Sequence, residues 1–148
     1  MNYKKILFAT DFSPASDAAL KYATSLARDS GATLLIAHVE ELPTPYAGGE
    51  MLLPQQEFPN PEIRKMLDAV VPPDKNVKYE HHLVLGTPAE DIVRIAEEQK
   101  ADLIVIGTHG RTGLRRVLMG SVAEAVMRRA RCPVLTLKQS DKSPASND

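Results

Sequence analysis

Cysteine is almost absent. A single thiol, Cys132, in 148 residues excludes an intramolecular disulfide and fits a reducing compartment. An excess of one charge is missing too: 18 Lys and Arg stand against 19 Asp and Glu, leaving a net charge of −1. Nucleic-acid binders usually carry a basic excess, so no nucleic-acid partner is expected. A small anion remains possible, because a local pocket can be positive on a neutral protein. No apolar run approaches the roughly 20 residues of a membrane span. The apolar stretch in the opening MNYKKILFATD is too short for a signal-peptide core and stops at Asp11. Together these absences lead to the expectation of a cytoplasmic protein with no membrane partner.

Familiar catalytic patterns are missing as well. No Ser/His/Asp or Cys/His arrangement follows from chain order, and Asp11, Glu40 and Asp102 form no recognisable acid/base pair. His81 and His82 are adjacent, so in a strand they face opposite ways and make no metal pair. Cys132, just before Pro133, reads as a buried, inert thiol.

What is present is an alternation of short apolar runs with helical periodicity. KILFAT (5–10), ATLLIAHVE (32–40), NVKYEHHLVLG (76–86), ADLIVIG (101–107) and VLTL (134–137) read as strands. Ser13-Pro14 opens a helix with Ala15, Ala18, Ala19, Tyr22, Ala23, Leu26 and Ala27 on one face, and Gly31 ends it. A short helix is expected over 61–70. Thr87-Pro88-Ala89-Glu90 reads as a capping box for a third, with Ala89, Ile92, Val93 and Ala96 inward. Val122, Ala125, Val126 and Ala130 mark a fourth. The expected fold is α/β: a single-domain, doubly wound open sheet of five mainly parallel strands, helices on both faces, Rossmann-like. The domain spans 1–138. It is interrupted at 41–60 by a Pro- and Gly-rich insertion, which reads equally as a lid or a surface loop. A polar tail, 139–148, follows.

Four of the eight glycines fall within GTHGRTGLRRVLMGS (107–121), directly after the fourth strand. Glycines without a Cβ let several backbone amides converge on a phosphate, and Gly120-Ser121 opens a helix whose first amides favour an anion. The pattern is neither a Walker P-loop, because no Gly-Lys-Ser/Thr follows, nor GxGxxG. On these residues alone it is either a phosphate cradle or a plain connecting loop.

The spacing Gly107, two residues, Gly110, nine residues, Gly120-Ser121 resembles the signature of ATP-binding universal stress proteins. KKILFATDFSPASDAALKYA and the segment from Ala101 to Leu137 resemble that family's opening and closing parts. The resemblance implies an adenine nucleotide alpha hydrolase-like fold. It implies contacts to adenosine from Ala9, Thr10 and Asp11, with Asp11 toward the ribose, and adenine read by the backbone at Val39. Gly107, His109, Gly110 and Arg111 would line the phosphate loop, and Gly120, Ser121 and Val122 would close over the phosphates. On the residues themselves, His109 either contacts phosphate or caps the turn, and Arg111 is either in reach of a γ-phosphate or solvated. The implied ligand is ATP, with Mg²⁺ or Mn²⁺ held mainly by phosphates and water. The implied function is stress response or signalling by nucleotide-dependent conformation or partner binding, as a homodimer paired through 134–137, with weak ATPase activity at most. Two alternatives stand beside it. One is a nucleotide-processing enzyme on the same fold, although ATDFSPAS matches neither a HIGH-like nor an SGGxDS-like motif. The other is an interaction module that binds no nucleotide.

Overall fold

A computed structural model describes residues 2–41, 59–108 and 120–138. The elements run β1 (Lys5–Ala9), α1 (Pro14–Ser30), β2 (Thr33–Glu41), α2 (Pro61–Asp68), β3 (Tyr79–Gly86), α3 (Pro88–Gln99), β4 (Leu103–Gly107), α4 (Ser121–Arg129) and β5 (Val134–Leu137). The strand order is β3-β2-β1-β4-β5, and every pairing is parallel. The expected doubly wound α/β sheet is therefore what forms. β1 and β4 pair in register from Ile6 with Leu103 to Ala9 with Ile106.

Strand alternation divides the core in two. Ile6, Phe8, Leu34, Ile36, Leu103 and Val105 pack with α1 and Leu67 of α2 on one face. Leu7, Leu35, Ala37, Ile104 and Ile106 pack with α3 and α4 on the other. The central strands are buried on both sides, which is why they read as unbroken apolar runs.

Ser13 caps α1 by accepting from the Ser16 amide at 3.3 Å. Gly31 ends it in the left-handed region at φ 73°. Its inward stripe is narrower than expected. Ala15, Ala19, Ala23 and Ala27 are buried together with Ser16 and Thr24, whereas Ala18 and Tyr22 are exposed. Small residues four apart bring α1 down onto the sheet, and the wider face is left to water. A Cβ at Gly107 would meet the Ala15 backbone at 3.1 Å, so glycine there serves this close approach.

The capping box at Thr87 forms differently from the expectation. The Thr87 side chain makes no cap bond, and Asp91, not Glu90, reaches back to the Thr87 amide at 2.8 Å. A Cβ on Gly86 would collide with that Asp91 carboxylate. Glu90 instead pairs across to Arg129 of α4. Cys132 is half-buried rather than fully buried. Burial, with Asp102 and Glu97 adding, pushes its thiol up, as expected of an unreactive group.

Asp102 fastens the amino ends of the central strands. Its Oδ2 accepts from the Lys4 and Lys5 amides at 2.8 and 3.1 Å, and these bonds hold the carboxyl below its ordinary range. A carboxyl so depressed in the folded chain contributes stability above the unfolded-state value of about 3.9 and loses it as pH falls through the folded value. Urea unfolding of Asp102→Asn should show a deficit at pH 7, limited by exposure to roughly 1 kcal/mol or less. The deficit should shrink below about pH 4. An equal deficit at both pH values would contradict this role.

Candidate functional site

The strand order reverses between β1 and β4, since the chain runs from β1 outward to β3 and then crosses to β4 on the other side. α1, which follows β1, and α4, which follows β4, pack on opposite faces of the sheet, and a crevice opens beyond the carboxyl ends of the two strands. A cleft of about 480 Å³ lies there. Of the residues expected at a site, Ala9, Thr10, Asp11, Val39, Gly107, Gly120, Ser121 and Val122 border this one cleft. His109, Gly110 and Arg111 lie outside the described residues, as do Arg115, Arg116 and most of the 41–60 insertion.

The loop after β1 is tightly bonded. Ser16 Oγ donates to Asp11 Oδ1 at 2.7 Å, the Ser13 amide donates to the same oxygen at 3.0 Å, and Ser16 Oγ accepts from the Asp11 amide at 3.2 Å. Burial pushes the Asp11 carboxyl up, but bonds from the Ser13 and Ser16 hydroxyls and the Ser13 amide outweigh it. The group ends below its ordinary value. Asp11 Oδ2 has no partner among the described residues. Phe12 takes a left-handed φ of 65°, a conformation costly for a side chain of its size. It is held there by its amide bonding Thr10 Oγ1 and by its ring lying 4.4 Å from His38.

His38 is held by the loop after β1. Its Nδ1 lies 2.7 Å from the Thr10 carbonyl, which can only accept, so Nδ1 carries the proton and the neutral ring keeps Nε2 as an acceptor. Sequence reasoning missed Ser16 and Glu40. Ser16 was visible only as the second serine of DFSPAS. Glu40, on β2, gave no local signal.

At the opposite end, α4 begins at Gly120 without a side-chain cap. The amides of Ser121, Val122 and Ala123 have no partner among the described residues, and Glu124 makes the first helical bond. Such amides and the helix dipole favour an anion. The Gly120 amide donates to the Thr108 carbonyl, so the end of β4 and the start of α4 meet at the cleft. Thr108 Oγ1 is the one buried side-chain polar atom among the described residues with no partner. Val39, Ile63, Ile92 and Pro88 supply apolar walls. Among the described residues, no cluster of three or more His, Cys, Asp or Glu could hold a metal. Nor is any helix among them long and apolar enough to cross a membrane.

A family model described as the universal stress protein family matches residues 2–138. A universal stress protein of Methanocaldococcus jannaschii is 37% identical over 150 residues, covering 95% of this chain and 85% of that protein. Among solved structures, a universal stress protein in complex with cAMP superposes with a TM-score of 0.69 at 29% identity, covering 95% of this chain and 100% of its own. One from Archaeoglobus fulgidus in complex with dAMP gives 0.65 at 31%, covering 92% and 98%.

Removing the Ser16 hydroxyl tests the wiring of the first loop. In Ser16→Ala the Asp11 carboxyl should titrate at higher pH than in the wild type when followed by NMR, and stability should fall by about 1 kcal/mol. An Asp11 titration that does not move would show that the serine is not what depresses it.

Proposed function

The chain belongs to the universal stress protein family, and from that premise we propose that its cleft binds an adenine nucleotide, ATP in the first instance. The observation that carries this reading is the meeting, in one cleft, of a carboxylate loop and an uncapped helix start. Asp11 and the first amides of α4, which have no partner among the described residues, both border it together with apolar walls. A sugar-phosphate needs this order of groups: an acceptor for ribose hydroxyls, then converging donors for phosphate. Two family relatives solved with cAMP and dAMP favour adenine as the base.

The residues present fit such a ligand. Asp11 Oδ2 is available to a ribose hydroxyl, its orientation set by Ser13 and Ser16. Ser121 and Val122 amides, with the unpartnered Thr108 hydroxyl nearby, offer donors to phosphate oxygens. His109, Gly110 and Arg111 complete the phosphate loop in this reading. Three or four charge-assisted bonds of roughly 1.5–3 kcal/mol, less ordering costs, give a micromolar site. A divalent ion, Mg²⁺ or Mn²⁺, would be held through the phosphates and water.

Binding rather than turnover is the role this chemistry favours. A carboxyl held below its ordinary range, as Asp11 is, makes a weak general base for activating water. The protein then acts in stress response through the partner or conformation that the bound nucleotide selects, with slow hydrolysis at most. β5 lies at the edge of the sheet that the described residues form, which suits pairing with a second copy.

Calorimetric titration should give micromolar ATP binding to the wild type, and Gly110→Val should abolish it while melting close to the wild type. Wild-type affinity in that variant would refute the glycine cradle. Light scattering at high micromolar concentration should report a dimer, and a monomer there would count against pairing through β5.

A further inference from the structure

α2 has only eight residues, Pro61–Asp68, and the one buried among them is Leu67. A helix this short is marginal alone, so its seat depends on what fastens it. Two side chains of the sheet do so, one at each end. At the start, Glu40 Oε1 of β2 accepts from the Asn60 amide at 3.1 Å. At the far end, His81 of β3 reaches the Val70 carbonyl, with Nε2 2.7 Å away. A carbonyl oxygen only accepts, so Nε2 carries the proton and donates it. Alternation along β3 puts His81 on the same face as Leu83, which packs against the α1–α2 side of the core. The His81 ring also meets Tyr79 edge-on, with centroids 5.3 Å apart, and its Nδ1 faces Asp68, the last residue of α2, at 3.9 Å. The side chain is 15% exposed, so little room is left for it to turn away.

This clasp bears on the cleft, although His81 is not among the residues that border it. Ile63 lies one turn before Leu67 on the same face of α2, and it lines the cleft. A helix that slid or tilted from its seat would take Ile63 with it. We infer that His81 is a positioning residue for the nucleotide: its bond to the Val70 carbonyl seats α2 so that Ile63 closes one wall of the cleft. The inference rests on the nucleotide reading above and adds to it a determinant of affinity outside the cleft. A ligand that needs the seated helix binds in proportion to the fraction of molecules in which the helix is seated. A ligand held only by the first amides of α4 does not depend on that fraction.

The probes are ATP and inorganic triphosphate, which lacks the nucleoside. By calorimetry His81→Leu, which removes the donor, should bind ATP about 5-fold more weakly than the wild type, with triphosphate affinity changed by no more than about 2-fold. His81→Gln, whose amide can donate at a similar reach, should restore most of the ATP affinity. His81→Asn, polar but too short to reach Val70, should behave as His81→Leu does and provides a second variant if that one folds poorly. In an Ile63→Ala background His81→Leu should cost less than about 2-fold, because the wall through which it acts is already gone. Unchanged ATP affinity in a folded His81→Leu or His81→Asn overturns the role of His81 and leaves the binding site standing. So does an equal loss for triphosphate, or a glutamine variant as weak as the leucine one. A wild type that binds no ATP overturns the nucleotide reading itself.

Discussion

The structure depends on a parallel pairing between two strands that the chain leaves in opposite directions. β1 and β4 lie side by side from Ile6 and Leu103 to Ala9 and Ile106, buried on both faces. Beyond that point the chain's next helices, α1 and α4, lie on opposite faces of the sheet. The cleft is thus a consequence of topology rather than of any one side chain. What the side chains do is line it. Gly107 lets α1 approach β4, Ala9 and Ala37 keep the walls thin, and Thr108 joins the end of β4 to the start of α4.

The cleft is polarised along its length. Acceptors gather at the β2 end in Glu40, Glu41 and His38, and amides without a partner among the described residues gather at the first turn of α4. Asp11 stands between them with its orientation already set by two serines. A ligand with an anionic tail and a donor-bearing ring can lie in only one direction across such a gradient. Preorganisation of this kind lowers the ordering cost at binding. The strained φ of Phe12 belongs to the same economy, since the His38 ring and the Thr10 hydroxyl hold it in place before any ligand arrives.

Much of this was legible from residue order, for physical reasons that can be named. Strands buried on both faces must be continuous apolar runs, so ILFA, LLIA and LIVI announced the centre of the sheet. Ser13-Pro14 and Gly31 are local devices, and both work as local reasoning expects. The errors lie where a partner is set by tertiary structure. Tyr22 has helical spacing but faces water, because the alanines beside it already fill the sheet contact. Asp91 rather than Glu90 reaches the Thr87 amide, a choice of one residue that pattern alone does not settle. Glu40 binds an amide 20 residues away, and no local motif signals such a bond. Within the candidate site, the glycines and Asp11 were visible as chemistry, whereas Ser16, Thr108 and Glu40 acquire meaning only when the strand ends are brought together.

The central claim is that a nucleotide lies across the β1–β4 switch with its phosphates on α4. An ATP titration of ¹⁵N-labelled protein, followed at each backbone amide, tests it most directly. The account predicts that the largest shifts fall on Asp11, on Val39 and its neighbours, and on Ser121, Val122 and Ala123, saturating together. Shifts confined to the opposite end of the sheet, around Lys4 and Asp102, or no saturable shifts at all, would contradict it.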